Sequence, residues 1–328
     1  MRIVVGDIGG TKTGLGVAEI DGGEVRVSRQ CRYPSGGFAS LEAIVDRYLQ
    51  ETGQTTARDC PLGAFAIAGP VQGRRSQTTN LPWDVDADRL ARTLGFQGVG
   101  LLNDLEAVAW GLAALGPGDV AVLYPGEPGP GNACVVAAGT GLGEAGLYWD
   151  GTRHHPFATE GGHTDFAPVD AHEFALLTYL QRRYGRVSWE RVASGMGIAN
   201  LYAFLLDWHR SATPDWLAVE MAAGDRAAAI ATAAATGRCP VCVETMAMFF
   251  KLYGREAGNM GLKLMALGGV YLGGGIAPKN LDALRTSQFL EGFFDKGRMA
   301  PLMRRMPVRV ILSGDAPLLG VARFMAAR

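Results

Sequence analysis

The chain has 328 residues, of which 48% are hydrophobic and 19% charged, and its formal net charge is −1. This composition is typical of a globular protein with a sizeable core, and it excludes recognition of nucleic acid or membranes through a strongly basic surface. Because the length exceeds that of a typical single domain, we expect two lobes of roughly 100–200 residues each.

Nothing in the sequence predicts secretion or a membrane span. The first ten residues, MRIVVGDIGG, hold too short an apolar run for a secretory signal. The long hydrophobic segment 241–267 is interrupted by charged residues and is therefore predicted to be a core helix. Five cysteines, an odd number, favour a reducing compartment, so we expect a cytoplasmic protein.

Cys239 and Cys242 form a CxxC pair. Structural zinc sites usually need four ligands, and no second cysteine or histidine pair lies nearby in the sequence. A redox motif of this kind is expected just after a strand, whereas this pair follows an alanine-rich helical stretch. The pattern favours two small buried residues at the start of a helix.

The first part of the chain alternates strand and helix signals. Residues 2–7, 14–20 and 24–30 predict three consecutive antiparallel strands, the first two joined by a glycine-rich turn and the last two by Asp21-Gly22-Gly23. Further along, periodicity and turn residues predict strands over 62–69 and 99–104 and helices over 38–50, 86–94 and 106–115.

The strand–turn–strand pattern restarts after a loop at 124–132, which is rich in proline and glycine and predicts a change of lobe. Residues 132–151 repeat the logic of the N-terminus, which predicts an internal structural duplication. From 170 to 267 the sequence is almost entirely helical, and 268–278 returns to a strand that ends in glycines. A last strand and helix over 308–325 are expected to fold back onto the first lobe.

Two glycine-rich turns follow buried strands, GDIGGTKTG at 6–14 and AAGTGLGEAG at 137–146. Glycine lets backbone N–H groups approach phosphate oxygens closely, so two such turns can hold a polyphosphate. The P-loop pattern GxxxxGK[ST] fails around Lys12-Thr13, and GxGxxG fails because Glu144 stands where its third glycine belongs. Phosphate binding remains predicted, on neither of the two commonest folds that provide it.

Three polar groups stand where the chemistry of phosphoryl transfer needs them. The carboxylate of Asp7 would repel a phosphate unless Mg²⁺ lies between the carboxylate and the phosphate, so Asp7 is a candidate metal ligand. An ordinary turn residue is the competing interpretation of Asp7. Asn103-Asp104 ends a strand, where open α/β sheets place ligands, and an N-cap for the next helix is the competing interpretation. Glu160-Gly161-Gly162-His163 can present polar groups to a sugar, or can be a plain loop.

The chain also resembles a known family. The segments that carry the resemblance, in order, are GDIGGTKTG, TNLPWDV, LLNDLEAV, AAGTGLGEAG, EGGHTDFAP, SWERVASGMGIANLY and GGVYLGGGIAP. Together they resemble the bacterial ATP-dependent glucokinases, nearly end to end from Ile3 to Arg323. The resemblance implies an α/β, two-lobed actin-like (ribonuclease-H-like) ATPase fold with an active-site cleft between the lobes. We expect a small lobe of residues 1–112 plus 306–328 and a large lobe of 113–305 with added helices.

The family transfers the γ-phosphoryl group of ATP to the 6-hydroxyl of glucose, the first step of glycolysis. The resemblance implies that Asp104 is the catalytic base and that it binds substrate together with Asn103, Glu160, His163 and Glu190. It implies a metal role for Asp7 with Mg²⁺, and the same relatives imply a homodimer. The positions implied to bind ATP are Gly6, Asp7, Ile8, Gly9, Gly10, Thr11, Gly139, Thr140, Gly141, Gly274 and Gly275.

Three other readings stay open from the sequence. A ROK-type kinase of a different sugar usually carries a histidine–cysteine zinc cluster after the sugar loop, whereas after His163 this chain offers His172 and no cysteine until Cys239. A non-catalytic sugar sensor would be expected to lose Asp7, Asp104 or the glycine turns. A structural polymer of the actin type is disfavoured by Glu160, His163 and Glu190, the residues that the resemblance implies bind the sugar.

Overall fold

The computed structural model describes residues 1–56, 58–78 and 81–328. Thr79 and Asn80, which open the TNLPWDV segment, lie outside the described residues. Within the described ranges the strands are β1 (Arg2–Ile8), β2 (Lys12–Asp21), β3 (Glu24–Pro34), β4 (Leu62–Ile67), β5 (Val71–Gln72), β6 (Arg75–Gln77), β7 (Asp84–Asp86), β8 (Gly98–Asn103), β9 (Val120–Tyr124), β10 (Ala133–Ala138), β11 (Leu142–Trp149), β12 (His154–Thr159), β13 (Gly269–Gly273) and β14 (Val308–Ile311).

The helices of the same ranges lie mostly in the second half of the chain. They are α1 (Leu41–Thr52), α2 (Ala87–Leu94), α3 (Asp104–Gly111), α4 (Ala171–Tyr184), α5 (Gly195–His209), α6 (Asp215–Ala223), α7 (Arg226–Ala235), α8 (Pro240–Leu264), α9 (Ile276–Lys279), α10 (Leu281–Thr286), α11 (Phe289–Phe294), α12 (Ala300–Met303) and α13 (Ala316–Ala326).

The chain divides into two compact units. The first contains Met1–Val120, His155–Ala158 and Ser313–Arg328, and the second contains Ala121–His154 and Thr159–Leu312. Each unit is built around its own sheet.

The sheet of the first unit has the order β3-β2-β1-β4-β8. The predicted antiparallel strands are confirmed, since β1 pairs with β2 and β2 pairs with β3 in that sense. β4 and β8 add in parallel. The sheet is buried on both faces, which explains the continuous apolar run Ile3–Val5 in β1.

Both cores of the first unit use helices that the periodicity predicted. One face packs against side chains of α1 and α2, and the other against α3 and α13. At Gly320 of α13 an added Cβ would overlap the carbonyl oxygen of Ala107, and at Gly111 it would overlap that of Ala316. The backbones of α3 and α13 therefore lie in direct contact.

Helix boundaries differ from the prediction because capping residues set them. α1 begins at Leu41 rather than at residue 38, since Ser40 Oγ accepts a hydrogen bond from the Ala43 N–H at 3.3 Å. α2 begins after Asp86, whose carboxylate accepts bonds from two N–H groups of the first turn. α3 begins at Asp104, two residues earlier than predicted, because Asn103 is its cap.

The second unit contains the sheet order β12-β11-β10-β13-β14-β9. As predicted, β10 and β11 form an antiparallel pair around the second glycine turn, and 170–267 is mainly helical. The segment predicted as a core helix is α8, which buries Phe249, Leu252 and Tyr253.

The end of the chain corrects one expectation. The last strand and helix were expected to fold back together onto the first lobe. β14 instead pairs in parallel with β13 and belongs to the second unit, whereas α13 belongs to the first. A parallel partner for β13 is needed to continue the buried sheet, and β14 supplies it.

The cysteines are free thiols, and Cys239 and Cys242 are buried at the start of α8, as the sequence favours. Across the described ranges, no group of three or more histidine, cysteine or acidic side chains is arranged to hold a metal ion. In the same ranges, each helix is too short or too polar to cross a lipid bilayer.

Candidate active site

The first glycine turn joins β1 to β2. Gly9, Gly10 and Thr11 form the turn, which is closed by a bond from the Gly9 N–H to the Lys12 carbonyl at 3.0 Å. Asp7 lies one residue before the end of β1, and burial raises the pKa of its carboxyl to about 6 against the opposing effect of Arg32. A pKa of about 6 is close to neutral pH, and a nearby cation would lower it and favour the charged carboxylate.

Gly6 and Ile8 lie inside the sheet rather than in the turn. Both are buried, and an added Cβ at Gly6 would come within 2.7 Å of the Phe65 ring. The backbone of these two residues belongs to the ladder with β2 and β4.

A buried serine that was not among the predicted site residues braces the turn. The Ser35 hydroxyl donates to the Gly9 carbonyl at 2.7 Å and lies 3.0 Å from the Thr13 hydroxyl. The Ser35 N–H donates to the Thr11 carbonyl at 3.0 Å. Its segment, Pro-Ser-Gly-Gly, reads as an ordinary loop, so no local signal marks the residue.

Asn103 and Asp104 stand at the same edge of the sheet as Asp7. Strand register aligns Ile8 with Ile67 of β4, and Ile67 with Asn103 of β8. Two strand spacings, roughly 10 Å, therefore separate the end of β1 from that of β8.

The N-cap role falls to Asn103 and not to Asp104. The Asn103 side-chain oxygen accepts from the Leu105 N–H at 2.9 Å and from the Glu106 N–H at 3.3 Å, and its amide donates to the Gly69 carbonyl at 3.2 Å. Asp104 is the first helical residue, is half-buried, and its Oδ1 lies 2.9 Å from the Leu105 nitrogen.

The second glycine turn, Gly139–Gly141, joins β10 to β11. It is closed by a bond from the Gly139 N–H to the Gly141 carbonyl at 2.9 Å. The first residues of α5 hold it from outside, because the Gly195 N–H donates to the Gly139 carbonyl at 2.8 Å and the Met196 N–H to the Thr140 carbonyl at 3.4 Å.

Gly274 and Gly275 follow β13 beside this turn. Gly274 has a φ of +73°, and an added Cβ there would overlap the backbone of Ala138. Only glycine fits both demands, which explains why β13 ends in glycines.

A cavity of about 860 Å³ opens in the second unit beside these glycines. This volume is in the range of small-molecule sites. Its wall includes Gly139, Thr140 and Gly275, cationic Arg183 and Lys279, and residues of α5 and α7. The cavity thus combines backbone turns with positive charge, a combination suited to an anionic ligand.

The structure brings Glu160, His163 and Glu190 together in the second unit. His163 Nε2 lies 3.9 Å from Glu160 Oε2, and His163 Nδ1 lies 3.9 Å from Glu190 Oε1. Glu190 Oε2 accepts from the Leu142 N–H at 3.1 Å, so this carboxylate also touches the end of the second glycine turn. Glu160 and His163 are exposed, whereas the Glu190 side chain is mostly buried.

The glycines around this cluster leave no room for a side chain, because neighbouring atoms occupy the position of a Cβ. An added Cβ at Gly141 would overlap the Glu190 carboxylate, and one at Gly162 would overlap the Leu142 carbonyl. At Gly161 it would overlap the carboxyl of Glu144, a residue that the sequence analysis noted only for breaking GxGxxG. The sequence signal that could have marked Glu144 is the presence of an acidic residue at the position of the third glycine in GxGxxG.

Comparison with known proteins gives a consistent result. A sequence profile of the Glucokinase family matches residues 4–328. The chain is 40% identical to a glucokinase of Nostoc punctiforme over 98% of this chain and 97% of the relative.

Solved structures agree. A glucokinase from an Antarctic psychrotroph superposes with a TM-score of 0.85 at 30% identity, covering 100% of this chain and 99% of that one. A ROK family glucokinase from Streptomyces griseus, determined in complex with glucose and AMPPNP, superposes with a TM-score of 0.66 at 23% identity, covering 99% of each chain. The mixed α/β architecture is that of the actin-like ATPase fold, and the chain belongs to the glucokinase family of ATP-dependent sugar kinases.

Proposed function

We propose that the protein transfers the γ-phosphoryl group of ATP to the 6-hydroxyl of glucose, giving glucose 6-phosphate and ADP. The observation that carries this proposal is the cluster of Glu160, His163 and Glu190 at the second glycine turn. Carboxylates and an imidazole provide acceptors and a donor for sugar hydroxyls. Their contact with a turn of the phosphate-binding type fits a sugar kinase.

Asp104 is proposed as the base that accepts the proton of the 6-hydroxyl. Asn103 caps α3 and thereby fixes the position of Asp104 at the first helical residue. Asn103 also has an amide N–H with which it can donate to the sugar. Phosphoryl transfer needs little covalent chemistry, so a positioned acceptor and neutralised phosphate charge account for most of the catalysis.

The two glycine turns and the cavity are proposed to bind ATP. Since the N–H groups of Gly9 and Gly139 close the two turns, the backbone N–H groups proposed to bind the phosphates are those of Gly10, Thr11, Thr140 and Gly141. The adenosine part is assigned to the cavity lined by Gly275 and Lys279, whose size and cationic groups support this assignment, with Gly274 as the preceding residue of the turn.

Asp7 is proposed to hold Mg²⁺ directly or through water. Mg²⁺ is commonly bound by one or two carboxylates together with substrate phosphates, and a single carboxylate beside a phosphate turn fits that donor set. The raised pKa of Asp7, caused chiefly by burial, is consistent with a group that a cation would stabilise as a carboxylate. When bound, the metal neutralises phosphate charge.

Three further proposals concern the whole protein. The free cysteines support a cytoplasmic location. A homodimer rests on the family resemblance. So does a division into a small lobe that contains residues 1–112 and α13 and a large lobe that contains 113–305, to which the pairing of β14 with β13 adds β14. Sedimentation of the purified protein tests the dimer.

The function is tested by ADP release from Mg-ATP with glucose, mannose, fructose, N-acetylglucosamine or no sugar. We expect turnover with glucose that EDTA abolishes. Preference for another hexose would keep the mechanism and replace the substrate. Retained glucose binding without turnover on any sugar would instead identify a sensor.

A further inference from the structure

Two acidic side chains meet in the interior of the second unit. Glu144 on β11 is 1% exposed and Glu256 on α8 is 0% exposed. Among the described residues, hydrogen-bond donors are scarce here, since only the Asn259 amide reaches the pair, donating to Glu256 Oε2 at 2.8 Å. Both carboxyl oxygens of Glu144 and Oε1 of Glu256 are buried without a protein donor.

One proton shared between the two carboxyls resolves this shortage. Burial, reinforced by Glu256, raises the pKa of Glu144 to about 9, and burial also raises the pKa of Glu256. Like charges held together in a dry interior cannot both ionise readily, so one carboxyl keeps its proton and donates it to the other. Lys263, whose Nζ lies 3.8 Å from Glu256 Oε1, favours the charge on Glu256.

Glu144 also packs directly against the turn that carries Glu160 and His163, two of the residues proposed to bind the sugar. Its carboxyl lies against Gly161, where an added Cβ would overlap Oε2. Its backbone carbonyl accepts from the Thr159 hydroxyl at 3.0 Å, and that hydroxyl in turn accepts from the Gly161 N–H at 3.2 Å. Glu160 lies between the two anchored residues, and His163 follows in the same short helix, Gly161–His163.

We propose that Glu144 is a positioning residue for phosphoryl transfer to the sugar: paired with Glu256 through one proton, it supports the Gly161-Gly162 turn and so fixes Glu160 and His163. This inference rests on the proposed role of those two residues in binding glucose. Glu144 touches neither substrate nor phosphate in this scheme, and acts only through the turn.

The proposal includes a pH dependence. The titratable and charged groups that influence the pair are Cys134 on β10, Tyr253 and Lys263 on α8, and Lys296. Above the pKa of Glu144 the shared proton is lost and two negative charges remain beneath Gly161. The KM for glucose should therefore rise as the pH passes about 9, while the KM for ATP stays level.

Two substitutions at one position separate hydrogen bonding from shape. Glu144→Gln keeps the size and can donate permanently to Glu256, so we expect a KM for glucose within about 2-fold of the native value and no rise at alkaline pH. Glu144→Leu leaves Glu256 without its partner, and we expect the KM for glucose to rise about 10-fold or more, which corresponds to about 1.4 kcal/mol. If Glu144→Leu does not fold, Glu256→Gln, which can donate to an ionised Glu144, serves as the second variant and should also abolish the alkaline rise.

Glu160→Gln and His163→Asn serve as the reference variants. If they weaken glucose binding while Glu144→Leu retains native KM values, the positioning role is wrong although the site is right. An alkaline rise in KM that persists unchanged in Glu144→Gln and in Glu256→Gln also overturns it. If Glu160→Gln and His163→Asn leave glucose binding unchanged, the proposed sugar site itself fails, and the failure is not that of Glu144.

Discussion

The two units of the molecule use the same strand order for different purposes. β3-β2-β1-β4-β8 in the first and β12-β11-β10-β13-β14 in the second both place a glycine-turn hairpin beside parallel strands. In the first unit, acids stand at the strand ends, Asp7 and Asp104. In the second, the turn adjoins a cavity and a carboxylate–imidazole cluster. The shared strand order therefore determines where polar groups can be presented in each unit. The side chains at the strand ends and turns determine which ligand or reaction those groups suit.

One position shows the difference in a single residue. Counted back from the turn, the third pair of the first hairpin is Gly6 with Leu15, and the third pair of the second is Val136 with Glu144. Leu15 and Glu144 are equally buried. Because the first sheet fills this position with an apolar side chain, the fold does not require the acid, which favours a local role for Glu144.

The strongest test of this contrast is Asp104→Asn in the first unit. An asparagine can still accept from the Leu105 N–H but cannot take a proton, so we expect kcat to fall by about 10²–10⁴-fold with glucose binding retained. Calorimetric titration with glucose and steady-state kinetics measure the two effects. Near-native kcat would remove Asp104 as the base.

A change in the second unit should act on binding instead. Glu160→Gln removes a charged acceptor from the cluster, and we expect the KM for glucose to rise about 10–100-fold with a smaller change in kcat, because a hydrogen bond to a charged group contributes about 1.5–3 kcal/mol. Asp282→Asn, at a fully exposed carboxylate, is the matched control. Equal losses in kcat from Glu160→Gln and Asp104→Asn would contradict the proposal that the first unit supplies the catalytic base and the second mainly binds the sugar.

The buried acid should reduce stability at neutral and alkaline pH. Since the pKa of Glu144 is raised from 4.5 to about 9, the folded state holds a proton that the unfolded chain releases, and stability falls as the pH rises across this interval. Glu144→Gln removes the effect, so urea unfolding at pH 8 should show a gain in the free energy of unfolding of up to about 5 kcal/mol that largely disappears near pH 4.5. Glu220→Gln, at a half-exposed carboxylate, should show no such difference.

The smallest expected effect concerns the different bracing of the two turns. The second turn is held by backbone N–H groups of α5, whereas the first is held by both the backbone N–H and the side-chain hydroxyl of Ser35. Ser35→Ala should raise the KM for ATP a few-fold and cost about 1 kcal/mol of stability, because the Gly9 carbonyl loses its donor. Ser28→Ala, in the same unit, is the control, since its hydroxyl makes only a 3.4 Å bond to Val17. No change in either quantity would show that the turn does not need the brace.

Much of this arrangement could be predicted from the sequence, for physical reasons. Apolar runs that end in glycine predict both hairpins, whereas the grouping of Glu160, His163 and Glu190 follows from the family resemblance and not from a local pattern. Their roles toward a ligand remain predictions.

What the sequence could not supply was set by contacts between distant segments. Ser35 reaches Gly9 across 26 positions, and Glu144 meets Glu256 from another element, so neither leaves a local pattern. The expectation for the last strand failed because the pairing partner of β14 is chosen by the sheet it completes and not by its neighbour α13.

The placement of α13 has a consequence for how the protein is made. This helix buries Leu318, Val321 and Ala322 against the first unit, and its backbone touches that of α3, which begins with Asp104. A ribosome nevertheless synthesises it only after the second unit. One face of the sheet in the nascent first unit therefore stays uncovered, and α3, which carries the proposed proton acceptor Asp104, can pack against α13 only after translation has passed residue 326.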